Sequence, residues 1–292
     1  MLSETARAKI NLNLLVGPWI TDRNHKYFGL HPLSSLVAFA DYGDQLSCEI
    51  SDQTILNISG PFSTGLESDD SNLVLQAYQL VSKIAKLPPL EFKLHKNLPL
   101  ASGIGGGSAD AAAALRLMKD YVDLPEEQWL DIALNLGADV PVCFHSRTCI
   151  MTGIGEEIEF LETGEILAAV LVNPNVQIRT GDIFKLFDLG VKTYEERTGE
   201  KYEPNLYQPQ GTLRDRLTRS ENKLQDYAAQ TEMVQRCFDA LDRHGPITRM
   251  SGSGATCFGI FETAAEAAKA ADKIKSEFPN WWVQPAMLGD LS

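Results

Sequence analysis

Residues 99–115 read PLASGIGGGSADAAAAL, four glycines running into the start of an alanine-rich helix. Gly103, Gly105, Gly106 and Gly107 let the backbone adopt conformations closed to other residues and come close to a ligand. The preceding run Leu90–Lys96 (LEFKLHK) alternates apolar and polar residues as a strand does, and Ala109–Tyr121 is rich in helix formers. Strand, glycine loop and helix therefore follow in order. The first N–H groups of such a helix have no partner inside it and, with the helix dipole, favour a phosphate. The loop has neither the Gly-Lys-Ser/Thr ending of a Walker A motif nor the acidic ribose ligand of a dinucleotide fold. A tight turn with close helix packing would use the same glycines, so the loop needs support from elsewhere in the chain.

Around it the composition is that of a globular chain. With 292 residues and 44% hydrophobic content there is room for one large domain or two ordinary ones. The longest apolar run, Ile166–Val172, is too short to span a bilayer, and the N-terminus lacks the pattern of a signal peptide. A cytoplasmic protein without a membrane partner is expected. Cys48, Cys143, Cys149, Cys237 and Cys257 form an odd set with no C-x-x-C spacing, which speaks against a disulfide framework or a zinc site and for reduced, mostly buried thiols. His25, His95, His145 and His244 show no metal-ligand spacing, and no residue is assigned to a protein-held metal site. The net charge of −13 argues against nucleic acid as a partner, because an acidic surface repels a polyphosphate backbone. A small phosphate compound is not excluded, since backbone amides and cations such as Lys9 and Lys96 act locally.

Along the chain, Thr5–Val16 alternates like a strand with one polar face, and strand-like runs recur at Leu36–Ala40, Leu46–Ile50 and Ile55–Ile58. Asn72–Lys86 and Pro125–Leu136 read as helices, the second with proline at its start and Gly137 past its end. From about residue 160 the pattern restarts. A strand at Leu167–Val172, helices near Asp182–Phe187 and Glu232–Arg243, two strand pieces within Thr248–Phe261, helix Ala264–Phe278 and strand Trp281–Leu288 give a second α+β layer. Gly190–Ser220, polar and poor in aliphatics, reads as a surface loop or long insertion.

Two further segments sharpen the reading. Gly137–Phe144 (GADVPVCF) places Asp139 two residues before Pro141, which biases Val140 to extended backbone and holds the carboxylate on a defined path. Met250–Phe258 (MSGSGATCF) puts glycines where a strand turns sharply against another backbone or a ligand. Read singly, these are equally an N-cap aspartate and a hairpin turn. Together with AKINLNL (Ala8–Leu14), HPLSSLVAFADYGDQL (His31–Leu46), NLVLQA (Asn72–Ala77) and GIGE (Gly153–Glu156), in this order, they resemble the galactokinase, homoserine kinase, mevalonate kinase and phosphomevalonate kinase superfamily. Within it the resemblance is to kinases acting on a diphosphocytidyl sugar alcohol in non-mevalonate isoprenoid synthesis.

The resemblance implies an α+β, two-lobed fold with an N-terminal nucleotide-binding mixed-sheet domain (1–160) and a C-terminal α+β substrate-side domain (161–292), the active site lying in the cleft between them. It implies transfer of the ATP γ-phosphoryl group, with magnesium, to an alcohol that carries cytidine diphosphate, and it makes Lys9 and Asp139 the catalytic pair. Such a carboxylate accepts the hydroxyl proton, while the ammonium lowers its pKa and offsets charge on the transferring group. Pro99, Leu100, Ala101, Ser102, Gly103, Ile104, Gly105, Gly106, Gly107, Ser108 and Ala109 would wrap the triphosphate, with the Ser108 hydroxyl as a phosphate or magnesium contact. Asn72 and Lys96 match the nucleotide side, and Asn11, His31 and Phe184 the substrate side, His31 and Phe184 at a cytosine. A Gly106→Val change is expected to fill the phosphate space.

One position departs from that pattern. Leu30 stands where a tyrosine usually precedes the histidine, and leucine has no π-face, so stacking worth ~1–3 kcal/mol per base is lost there. Tyr27 and Phe28 are the nearest aromatic residues to take its place. The departure keeps open a kinase of the same superfamily for a different small alcohol and, outside enzymes, a nucleotide-binding sensor without catalysis. Monomer and homodimer are both open.

Overall fold

The computed structural model describes residues 1–245 and 247–290. The chain runs β1 (Leu2–Asn11), β2 (Leu15–Val16), β3 (Leu33–Ile50), β4 (Ile55–Ser59), α1 (Leu73–Ile84), β5 (Leu90–His95) and α2 (Gly106–Met118). It continues through α3 (Glu126–Leu136), α4 (Val140–His145), β6 (Cys149–Thr152), β7 (Glu157–Phe160), β8 (Ile166–Asn173) and α5 (Thr180–Thr198). Then come α6 (Leu213–Thr218), α7 (Gln225–Ala228), α8 (Glu232–Asp242), β9 (Ile247–Met250), β10 (Cys257–Phe261), α9 (Ala264–Glu277) and β11 (Trp282–Gly289). Two compact units interleave along the sequence. One comprises Met1–Lys9, Ala40–Leu100 and Gly105–Ser146; the other comprises Ile10–Phe39, Ala101–Ile104 and the described residues from Arg147 onward.

In the first unit, β5 buries Leu90, Phe92 and Leu94 and turns Lys93 and His95 outward, the alternation read from LEFKLHK. It pairs antiparallel with the second half of β3, Cys48 opposite Phe92, and parallel with β4, Leu56 opposite Phe92. Helix α2 is buried along most of its length, and its run of alanines lets α1, α3 and α4 approach closely. The side chain of Asn72 caps α1 by accepting from the Val74 amide at 3.0 Å.

In the second unit, β11, β8, β10 and β9 form an antiparallel sheet, with Val172 opposite both Val283 and Cys257. Helices α8 and α9 cover it, and Val170, Val172, Leu241, Phe261 and Ile274 belong to one core. All five cysteines are buried. Among the described residues no helix is long and apolar enough to cross a membrane.

Three local expectations change. The two strand-like runs around residue 41 are one strand, β3, because its polar centre is not a turn: Asp44 is fully buried and accepts from the distant backbone amides of Asn97 and Leu98. The segment read as a loop from Gly190 contains the remainder of α5 and all of α6. Helix α5 is charged and buries only Ile183 and Phe187, so its apolar signal ends well before the helix does. The stretch that follows is tethered by the buried Gln208, which bonds the side chains of Asn13 and Ser34. Val140, expected to be extended, opens α4 with Pro141 in the first turn, where the missing N–H costs no helical bond.

Candidate active site

Within the first unit, Gly105 stands at the head of α2 with φ 68°, a left-handed conformation that glycine takes without strain. The Lys9 side chain lies directly against it: a Cβ at this position would sit 3.2 Å from Lys9 Cβ and 3.8 Å from Cys143 Sγ. As the N-cap residue, Gly105 has no side chain with which to cap the first turn, and the leading amides of a helix, here those of Gly106, Gly107 and Ser108, are the kind of donors an anion can use. Pro99 and Leu100 lead into the loop from the same unit.

The middle of the loop, Ala101–Ile104, belongs to the second unit and is fixed there by the SGSG segment. Ser251 Oγ donates to the Gly103 carbonyl at 2.8 Å, and the Thr256 amide donates to the Ser102 carbonyl at 3.1 Å. A Cβ on Gly103 would meet the Ser251 carbonyl at 2.5 Å, so only glycine fits. Ser102 and Ile104 are buried, which anchors the loop, while Ala101 and Gly107 are exposed. The glycines of SGSG thus turn a strand against another backbone, one of the two uses anticipated for them.

Lys9 and Asp139 meet as an ion pair of 2.7 Å inside the first unit. Lys9 comes from β1 and its side chain is 5% exposed; Asp139 precedes α4 and its side chain is 41% exposed. Although Asp139 occupies the N-cap position of α4, its carboxylate makes no capping bond. It is spent on the lysine instead. A buried cation with a half-open carboxylate can fix a hydroxyl by the carboxylate and balance negative charge that develops beside it.

Lys96, expected among the nucleotide ligands, has its charge already engaged. Its ammonium is buried between Asp44 Oδ2 and Asp110 Oδ2, the latter at 2.5 Å. Asp44 also accepts from the amides of Asn97 and Leu98, so it grips the chain as it enters the loop. Burial raises the Asp110 carboxyl to about 7, opposed by Lys96 and reinforced by Asp44. A Cβ on Gly106 would point at this cluster, 3.6 Å from Lys96 Nζ. The space beside Gly106 is therefore interior and ionic, which corrects the expectation that a side chain there fills a phosphate site. Asn72, the other expected nucleotide-side residue, has its amide used in capping α1 and in donating to the Glu67 carbonyl at 3.2 Å.

Of the residues expected on the substrate side, all within the second unit, His31 and Phe184 come together with ring centroids 4.7 Å apart and planes inclined by 32°. His31 Nδ1 donates to the Gly17 carbonyl at 2.9 Å, and Nε2 lies 3.6 Å from Asp188 Oδ2. Burial raises the Asp188 carboxyl and His31 opposes it. Leu30 is exposed, and neither aromatic candidate for its place reaches the histidine: Tyr27 lies against His25 and Phe28 against Trp19. Asn11 is buried; its side-chain amide donates to Ser35 Oγ at 2.7 Å and its backbone N–H donates to Ser251 Oγ at 3.1 Å.

Sequence reasoning missed Asp44, Asp110 and Gln208. Asp110 carried a signal, an aspartate inside an alanine run, whereas Asp44 lies in the polar stretch DYGDQ (41–45) and looks like part of a turn. Gln208 carried none, because an isolated polar residue in a polar segment looks the same whether buried or free.

Comparison with known proteins agrees with this architecture. Residues 72–147 match the GHMP kinases N terminal domain and residues 209–280 the GHMP kinases C terminal domain. The chain is 42% identical to the 4-diphosphocytidyl-2-C-methyl-D-erythritol kinase of Rhizobium etli (strain CIAT 652), over 97% of this chain and 93% of that protein. It is 38% identical to the enzyme of the same name from Bradyrhizobium diazoefficiens, over 98% of each. Among solved structures, a 4-(cytidine 5'-diphospho)-2C-methyl-D-erythritol kinase superposes with a TM-score of 0.74 at 24% identity, covering 99% of this chain and 100% of that one. The homoserine kinase of Cytophaga hutchinsonii gives a TM-score of 0.63 at 16% identity, covering 98% and 96%, a likeness of fold alone. The chain belongs to the GHMP kinases and, within them, to the 4-diphosphocytidyl-2-C-methyl-D-erythritol kinase family.

Proposed function

We propose that the protein transfers the γ-phosphoryl group of ATP to a hydroxyl of 4-diphosphocytidyl-2-C-methyl-D-erythritol. The observation that carries this reading is the Lys9–Asp139 pair held against Gly105, which has no side chain to cap the leading amides of the helix it heads. The phosphates lie along the loop from Pro99 to Ala109, taking hydrogen bonds from those amides. Asp139 meets the acceptor hydroxyl and takes its proton as the oxygen attacks the γ-phosphorus. The bond from that phosphorus to the bridging oxygen breaks, and ADP leaves. Lys9 balances charge on the carboxylate and on the transferring group. Because the transition state is loose, orienting the hydroxyl counts for more than basicity.

Magnesium takes hard oxygen ligands and, beside a nucleotide, is held chiefly by the phosphates with one or two protein oxygens. Among the described residues no three histidine, cysteine or acidic side chains converge to hold a metal on their own, whereas Ser108 brings a hydroxyl to the first turn of α2. That donor set fits a nucleotide-borne ion: Ser108 would hold it, and it would neutralise phosphate charge.

His31 and Phe184 form the cytosine site in this reading. Donation from Nδ1–H to the Gly17 carbonyl fixes the His31 ring and leaves Nε2 for polar contact with the base, and the Phe184 ring offers a stacking face. Release of ADP by the purified protein, measured with ATP, magnesium and a panel of acceptors, tests the whole reading. Turnover with the diphosphocytidyl alcohol and not with simple polyols is the expected result; preference for an alcohol without the cytidine group would reject it.

A further inference from the structure

Arg116 lies in the last turn of α2, ten residues beyond Gly106 and about 15 Å down the helix from the glycine loop. Its guanidinium is largely buried and reaches two other elements of the first unit. Nε donates to Glu4 Oε2 at 3.1 Å and Nη2 to the Thr5 carbonyl at 3.4 Å, both on β1, the strand that carries Lys9. Nη1 donates to the carbonyls of Cys143 at 2.8 Å and Phe144 at 3.3 Å, at the C-terminal end of α4.

Helix α4 has six residues, too few to hold a position by its own hydrogen bonds. Arg116 meets the carbonyl end of this helix, where the helix dipole favours a cation. Asp139 is joined to the other end of this short rod, because its carbonyl accepts the Cys143 amide at 3.2 Å. A shift of the rod at Cys143 therefore moves Asp139 with it. The same guanidinium fork grips β1 four and five residues before Lys9, about 13–17 Å along a stiff strand.

We propose that Arg116 is a positioning residue for phosphoryl transfer, setting the backbone of α4 against that of β1 so that Asp139 and Lys9 stay in register. This rests on the assignment of those two residues as the catalytic pair. A lysine cannot reproduce the geometry, since a single ammonium cannot serve both elements as a planar fork does. Misplacement of a reacting group by about 1 Å costs on the order of a hundredfold in rate.

The test is steady-state kinetics of Arg116→Met, Arg116→Lys and Asp139→Asn, alongside thermal melts. In Arg116→Met, kcat is expected to fall roughly tenfold to a hundredfold while the KM for ATP stays within about twofold, because the nucleotide loop is at the opposite end of α2. Arg116→Lys is expected to recover part of the lost kcat, and it carries the comparison alone should the methionine variant not fold. Wild-type kcat in a folded Arg116 variant, with Asp139→Asn inactive, overturns the positioning role and leaves the catalytic pair intact. A KM for ATP that rises in step with a lowered melting temperature also overturns it, since general loosening of α2 would do that. Wild-type turnover in Asp139→Asn removes the pair, and this proposal with it.

Discussion

Lys9 Nζ stands 2.7 Å from Asp139 Oδ1, with the lysine buried and the carboxylate half open. The asymmetry separates their tasks. A buried ammonium is held in place and cannot leave with solvent, whereas the open carboxylate is the one an acceptor can touch. Asp139→Asn keeps the shape and removes the proton acceptor, so kcat is expected to fall by roughly 10²–10⁴ with little change in the KM for ATP. An equal loss in both parameters would place Asp139 on the nucleotide instead.

Neighbouring glycines in the loop should fail for different reasons. At Gly105 the left-handed φ of 68° costs a side chain roughly 1–2 kcal/mol, and the added Cβ would press on Lys9. Gly105→Ala is therefore expected to lower kcat together with ATP affinity. At Gly106 a single Cβ fits at ordinary contact distance, but the branches of valine would enter the Lys96 cluster. Gly106→Ala is expected to bind ATP nearly normally, and Gly106→Val to melt early. Comparing melting temperatures with ATP titrations of the two variants separates them; a Gly106→Val protein of normal stability would sink the account.

How much of this was legible in the sequence differs from element to element. The strand Leu90–His95, the glycine loop and α2 were readable because period-two alternation, a glycine run and an alanine run are local signals. The Lys9–Asp139 contact was not local: residues 130 apart in sequence meet, and it took the order of several motifs to pair them. What stayed hidden was how each charge is used. Lys9 lies within β1 and Lys96 just past β5, both lysines among alternating strand residues, yet one has a half-open carboxylate partner and the other two buried ones. Burial and partner number come from tertiary packing, which no periodicity encodes.

On the substrate side, the 4.7 Å contact between His31 and Phe184 predicts a selective loss. Phe184→Ala is expected to raise the KM for the cytidine-bearing acceptor by roughly tenfold to a hundredfold, the equivalent of about 1–3 kcal/mol of stacking, and to leave the KM for ATP alone. His31→Ala should do the same through the lost hydrogen bond and ring contact. If both variants instead raised the KM for ATP, these rings would belong to the nucleotide.

Asp110 gives a pH dependence whose sign is fixed by its surroundings. Burial, with Asp44 nearby, raises its carboxyl from the ordinary 3.8 to about 7, against the pull of Lys96. Its Oδ1 is buried without a hydrogen-bond partner, which suits a protonated acid better than a carboxylate. Between those two values the folded chain keeps a proton that the unfolded chain has already released, so stability falls as pH rises. The stabilising contribution is complete below about pH 3.8 and is lost as pH passes through about 7. Asp110→Asn removes the titration while keeping the shape beside Lys96. Melts at pH 5, 6, 7 and 8 are therefore expected to show the wild type losing more stability than the variant over that span. A gap between the two melting temperatures that stays constant from pH 5 to 8 would mean that Asp110 is ionised throughout and that the buried cluster carries its negative charge permanently.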